Sequence, residues 1–178
     1  EGTISIGTGM GIGAVTAYVA VILINKTVGD QAYAGFGAFW SLIFVVGPGL
    51  FLPLEQEIAR GVSHRLARRD GSKPFLRLAI SVALLIAITV GAIFAAFSPI
   101  FINHVFHSNG KLQIGFIIGI VSFAFLHCSR GIFSGNHKFQ YYGASLAFEG
   151  AIRFAIVLGL SLIGIKDVGY YGIAMGVT

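Results

Sequence analysis

An all-α polytopic membrane protein is the fold class this sequence predicts, and two observations carry it. Gly2 to Leu54, interrupted only at Lys26 and Asp30, Leu78 to Gly110, and Leu112 to Ser129 contain no other Asp, Glu, Lys or Arg. The stretch from Phe139 to Ile165 is broken only by Glu149 and Arg153. Of the 178 residues 56% are hydrophobic and 11% charged, whereas a soluble domain carries about 25% charged residues. A hydrocarbon core of about 30 Å needs about 20 apolar residues in a helix, which satisfies its own backbone hydrogen bonds. The alternative, a β-barrel, would alternate apolar and polar residues, and Val82 to Phe97 is apolar almost throughout.

Taken in order, the helices are expected at 4–24, 33–54, 76–101, 112–133 and 141–165, with a sixth starting near Gly169 and incomplete at 178. About six transmembrane helices in one lobe is therefore the expected organisation. The chain starts at Glu1, and Gly2 to Gly13 has no basic n-region, so the first span does not read as a removable signal peptide. Both ends read as the edges of a fragment.

Orientation follows from the basic residues, which are retained on the cytoplasmic side. The connector after the second span holds Arg60, Arg65, Arg68, Arg69, Lys73 and Arg77, and the one after the fourth holds Arg130 and Lys138. The opposite side has only Lys26, Lys111 and Lys166. This puts the N-terminus in the cytoplasm and His104 and His107 outside. The net charge of +5 is then an orientation signal and an attraction to anionic lipid, and nucleic acid is not an expected partner.

Twenty-five glycines lie largely within the spans. Gly7 and Gly11, Gly9 and Gly13, Gly115 and Gly119, and Gly172 and Gly176 have the four-residue spacing that lets membrane helices meet backbone to backbone. Ser5, Gly9, Gly13 and Thr16 share a small, weakly polar face suited to another helix or a wet cavity. Gly7-Thr8-Gly9-Met10-Gly11 is not a nucleotide loop, because no strand precedes it. Gly47-Pro48-Gly49 inside the second span predicts a kink, which serves either as shape or as a bending point.

The main candidate site is Glu149 with Arg153, four residues apart on one helix face, with Ser145 one turn earlier. From a helix entry at Tyr141, a rise of 1.5 Å per residue places them roughly 12 and 18 Å deep. Isolated charges there cost on the order of 2.5 to 3.5 kcal/mol each, so they face the interior and pair or meet water. Two readings stand: a structural ion pair, or the polar wall of a central cavity in which Arg153 attracts an anionic substrate and Glu149 serves as its orienter or as a proton or cation site. His104 and His107 have a metal-compatible spacing without a third ligand, and interfacial placement is the simpler reading. Lone Cys128 and neighbouring His127 read as packing or capping residues. Asp70-Gly71-Ser72 reads as a turn. No grouping suggests catalysis or a bound cofactor.

Three segments carry a family resemblance: Leu54-Glu55-Gln56-Glu57-Ile58-Ala59-Arg60, Arg130-Gly131-Ile132-Phe133-Ser134-Gly135-Asn136-His137-Lys138-Phe139, and Glu149-Gly150 followed by Arg153. The chain resembles the N-terminal part of polysaccharide flippases of the multidrug/oligosaccharidyl-lipid/polysaccharide exporter superfamily. That resemblance implies two six-helix lobes that alternately open a central cavity, and this chain would be about one of them. A second lobe of the same protein or a homodimer partner would complete it. It also implies a bacterial inner-membrane protein that moves an undecaprenyl-pyrophosphate-linked oligosaccharide to the outer leaflet. On this reading Arg60 greets the head group at the cytoplasmic mouth, or is one more inside-positive charge. Arg153 holds the head group midway, and Glu149 is the residue for proton or sodium coupling. The rival classes are a drug or cation antiporter of the same superfamily, a membrane enzyme of the same pathway, and a non-transporting assembly subunit. An antiporter would need an unpaired acidic residue, and an enzyme a longer loop than Asn103 to Lys111.

Overall fold

The computed structural model describes residues 2–178 and contains no strand among them. Helix α1 spans Gly2–Val28 and α2 Asp30–Arg68, separated by Gly29 alone. Gly29 has φ 80° and ψ 163°, a combination that costs a side-chain-bearing residue dearly, so glycine makes this one-residue reversal feasible. Helix α3 covers Lys73–Ala96, followed by the short α4 at Ser98–Ile100 and a π-helical turn at Phe101–Val105. Helices α5, Gly110–Gly135, α6, Phe139–Ile163, and α7, Val168–Val177, complete the chain.

Five of these, α1, α2, α3, α5 and α6, are long and apolar enough to cross a membrane, while α7 has ten described residues. The expected boundaries hold to within a few residues except in two places. The second helix does not stop near Leu54 but runs on to Arg68, because the segment beyond it is rich in good helix formers and has no proline, with Gly61 its one weak position before Asp70-Gly71. Its C-terminus closes with Arg69 in the left-handed region, the amides of Arg69 and Asp70 bonding back to Leu66 and Arg65. The third ends earlier, at Ala96, ahead of Pro99, and buried Gln113 donates to the Phe94 carbonyl at that end (2.6 Å). Helix α2 is continuous through Pro48 and Pro53.

Two packing groups emerge. Helix α1 packs chiefly on α6, and α5 sits at the centre of the other group, against α2, α7 and α3. Glycine sets the close approaches. A methyl on Gly9 would overlap the Gly143 carbonyl, and one on Gly143 the Ser5 carbonyl, while Gly13 faces the Leu146 carbonyl at 3.3 Å. On the second group, Gly115 and Gly176 interlock across α5 and α7, and Gly131 and Gly135 admit the α2 backbone at Glu55 and Ala59. Gly7 and Gly11 point into open space. Three of the four glycine pairs are thus contact faces and the fourth lies on the outer surface.

Large apolar side chains such as Ile4, Val15, Tyr18, Leu85, Ile88, Phe125, Phe148 and Leu162 are exposed, whereas Glu55, Gln113, His127, Arg130 and Arg153 are buried. Apolar outside with ionisable residues inside is the reverse of a soluble domain and suits a lipid surround.

Candidate functional site

The buried ionisable residues converge where the two packing groups meet. Glu149 and Arg153 lie one turn apart on α6, and their side chains pair as the four-residue spacing predicts. Glu149 uses its other oxygen for Arg130, which α5 carries across from the opposite group. Arg130 also donates through Nε to Ser145 Oγ (3.3 Å), whose hydroxyl donates to the Tyr142 carbonyl (2.7 Å). Arg153 donates through Nε to Thr178 Oγ1 (3.2 Å), and its guanidinium carbon lies 5.7 Å from the centre of the Trp40 ring.

A second pair adjoins the first. Glu55 Oε2 is 2.6 Å from His127 Nδ1, and Glu55 Oε1 accepts from the Tyr142 hydroxyl (2.7 Å). The His127 ring lies between Phe51 and Phe123, with centroids 6.4 and 5.7 Å away. Every oxygen of both glutamates is therefore hydrogen-bonded, as burial at this depth requires. The network ties α2, α5, α6 and the end of α7 together.

A cavity of about 390 Å³ opens beside it. Met10, Gly13, Ala14 and Ala17 of α1, Phe44 and Pro48 of α2, and Phe123 of α5 supply the apolar walls. His127, Arg130, Glu149 and Arg153 line its polar side. A second recess of about 340 Å³, lined by Ser145, Glu149, Ile152 and Thr178 among others, lies on the other side of Glu149. Glu149 thus lines both cavities, while its two arginines line the first.

Three of the four candidate residues, Glu149, Arg153 and Ser145, come together here. Arg60 does not: it is an exposed residue of α2 paired with Glu57 at 2.6 Å, beside a separate recess with His64, Arg65 and Phe75. Arg130, counted in the sequence with the basic residues of the connector after the fourth span, lies within α5 and turns inward, where it is buried. Glu55 was not singled out from the sequence, and His127, which reads there as a packing or capping residue, pairs with Glu55 and lines the cavity. One signal marks His127 and Arg130, though not their partners: ionisable residues at helical spacing on one span, matching Glu149 and Arg153 on the next.

At the opposite end, Asp167 accepts from the Gly169 amide (2.9 Å) and the Asn109 side chain (3.2 Å) and pairs with Lys111. The Lys111 ammonium holds the Asp167 carboxyl below the usual carboxylate range, assisted by the Gly169 amide and the Asn109 side chain.

The sequence is similar to uncharacterized proteins of Mycobacterium bovis and Mycobacterium tuberculosis, 22% identical over 169 residues that cover 93% of this chain. The chain spans 38% of the length of these curated relatives. No family model matches the chain, and no solved structure does.

Proposed function

We propose that this chain is one lobe of a membrane transporter that moves a lipid-linked oligosaccharide across a bacterial cytoplasmic membrane by alternating access. The observation that carries the reading is the pair of buried arginines, Arg130 and Arg153, sharing Glu149 on the wall of a 390 Å³ cavity. A pyrophosphate head group crossing an apolar barrier needs cationic, hydrogen-bonding partners along a protein-lined path. Arg130 and Arg153 supply such guanidinium partners, and the apolar walls formed by Met10, Phe44 and Phe123 suit the prenyl chain.

The resemblance to oligosaccharide flippases of the multidrug/oligosaccharidyl-lipid/polysaccharide exporter superfamily points the same way. In this reading the basic end of the bundle is cytoplasmic, Arg60 collects the head group there, and a second lobe or a second copy closes the path. A drug or cation antiporter would need a free buried carboxylate, and both oxygens of Glu55 and of Glu149 are occupied by partners.

The test is binding of farnesyl diphosphate, a short polyprenyl diphosphate, to the protein in detergent micelles, with farnesol as the uncharged control. Binding of the diphosphate alone, weakened about tenfold or more by Arg153→Gln, is the expected result. Equal binding of both compounds, or no effect of the substitution, would contradict the reading.

A further inference from the structure

We propose that His127 and Glu55 form a proton-binding site whose occupancy sets the charge of the cavity. The geometry fits this role in three respects. His127 Nδ1 is committed to Glu55 Oε2 at 2.6 Å, which fixes Nδ1 as the proton-bearing nitrogen against a carboxylate. Nε2 has no hydrogen-bond partner among the described residues, and His127 lines the 390 Å³ cavity, so Nε2 is where a proton arrives from cavity water. Glu55 is itself held by the Tyr142 hydroxyl, which leaves it positioned to stabilise the imidazolium without moving.

The charge count gives the site its consequence. Glu55 and Glu149 contribute two negative charges, Arg130 and Arg153 two positive ones, so the cluster sums to zero while His127 is neutral. A proton on Nε2 makes it +1, and the cavity becomes a better anion site. The step is a proton transfer: an N–H bond forms at Nε2 as an O–H bond of hydronium in the cavity water breaks, and release reverses it.

The groups facing His127 are few. Helix α2 presents Glu55 and the ring of Phe51, α6 presents Tyr142 and Glu149, and α5 itself adds Arg130 and Phe123. Helix α1 lines the cavity with Met10, Gly13, Ala14 and Ala17, none of which titrates, and the α7 end brings Thr178 to Arg153. The ionisable side chains of α3, Lys73 and Arg77, are exposed.

The proposal rests on the transport reading for the identity of the anion, and not for the proton site itself. Two measurements on the full chain in lipid nanodiscs keep them apart. The first follows His127 by NMR of histidine-labelled protein from pH 8 to pH 5, its signal identified by its loss in His127→Asn. The second measures affinity for inorganic sulfate, whose own charge is constant over that range.

We expect the His127 signal to change on acidification and sulfate affinity to rise about tenfold alongside it, as one added charge at short range implies. In His127→Asn, which keeps a donor toward Glu55, the pH dependence should disappear. Should that variant fail to reach the membrane, His127→Gln serves the same purpose. A His127 signal that does not change between pH 8 and 5 overturns the proton site. Unchanged pH dependence of sulfate affinity in the folded variant overturns the coupling. A His127 that titrates while neither sulfate nor farnesyl diphosphate binds upholds the proton site and defeats the transport reading instead.

Discussion

At the scale of single residues, the decisive fact is that Glu149 serves two arginines at once. Removing one partner of a buried pair leaves an uncompensated charge and costs about 3 to 5 kcal/mol, whereas an exposed pair contributes within about 1 kcal/mol. Glu149→Gln is therefore expected to lower the unfolding temperature in detergent far more than Arg60→Ala, whose partner Glu57 is also exposed. Equal effects of the two would mean that the buried cluster is hydrated and energetically slack. The pairing of Glu149 with Arg153 was legible from the four-residue spacing. Arg130 was not, because a basic residue near the end of an apolar run looks the same in sequence whether it snorkels out or turns inward. Glu55 and His127 were hidden for a related reason: their partners lie on other helices, and no local pattern records a contact across the bundle.

At the scale of elements, small residues at four-residue spacing identified three contact faces, two of them opposed across α5 and α7, and one exposed face. The spacing shows that two glycines share a face but cannot say which face meets protein. Gly9→Ala puts a methyl into the Gly143 backbone and is expected to pry α1 from α6, while Gly7→Ala has open space around it and should be nearly silent. Thermal unfolding of the two variants in the same detergent checks this, and a silent Gly9→Ala would refute the α1–α6 packing. The α6–α7 corner makes a pH prediction. Asp167 caps α7 and pairs with Lys111, and its folded carboxyl titrates below the unfolded one. Its contribution is thus fully present above about pH 4, the ordinary aspartate value, and is lost as pH falls through the lowered folded value. Asp167→Asn should flatten the acid side of the stability profile below about pH 4 and leave the neutral side parallel to the wild type; an unchanged acid limb would exclude this role.

At the scale of the whole molecule, helices and their order were legible because hydrocarbon solvent forces long uninterrupted apolar runs, and those runs survive as the five long helices. The α2 extension to Arg68 was not, since a polar, basic segment is compatible with either a loop or a helix emerging into water. Orientation can be read with cysteine placed in a Cys128→Ser background. A Ser72→Cys variant should react with a membrane-impermeant thiol reagent only in inverted vesicles, and Ser108→Cys only in intact cells, if the basic end is cytoplasmic. The reverse pattern would invert the proposed direction of transport. If the arginine cluster carries the proposed pyrophosphate head group across the bilayer, translocation in cells expressing the complete protein depends on Arg153. With Arg153→Gln present at wild-type abundance in the membrane, lipid-linked oligosaccharide should accumulate in the inner leaflet, with outer-leaflet appearance slowed by about tenfold or more. Appearance at the wild-type rate would contradict the account and leave the cluster as a structural ion network.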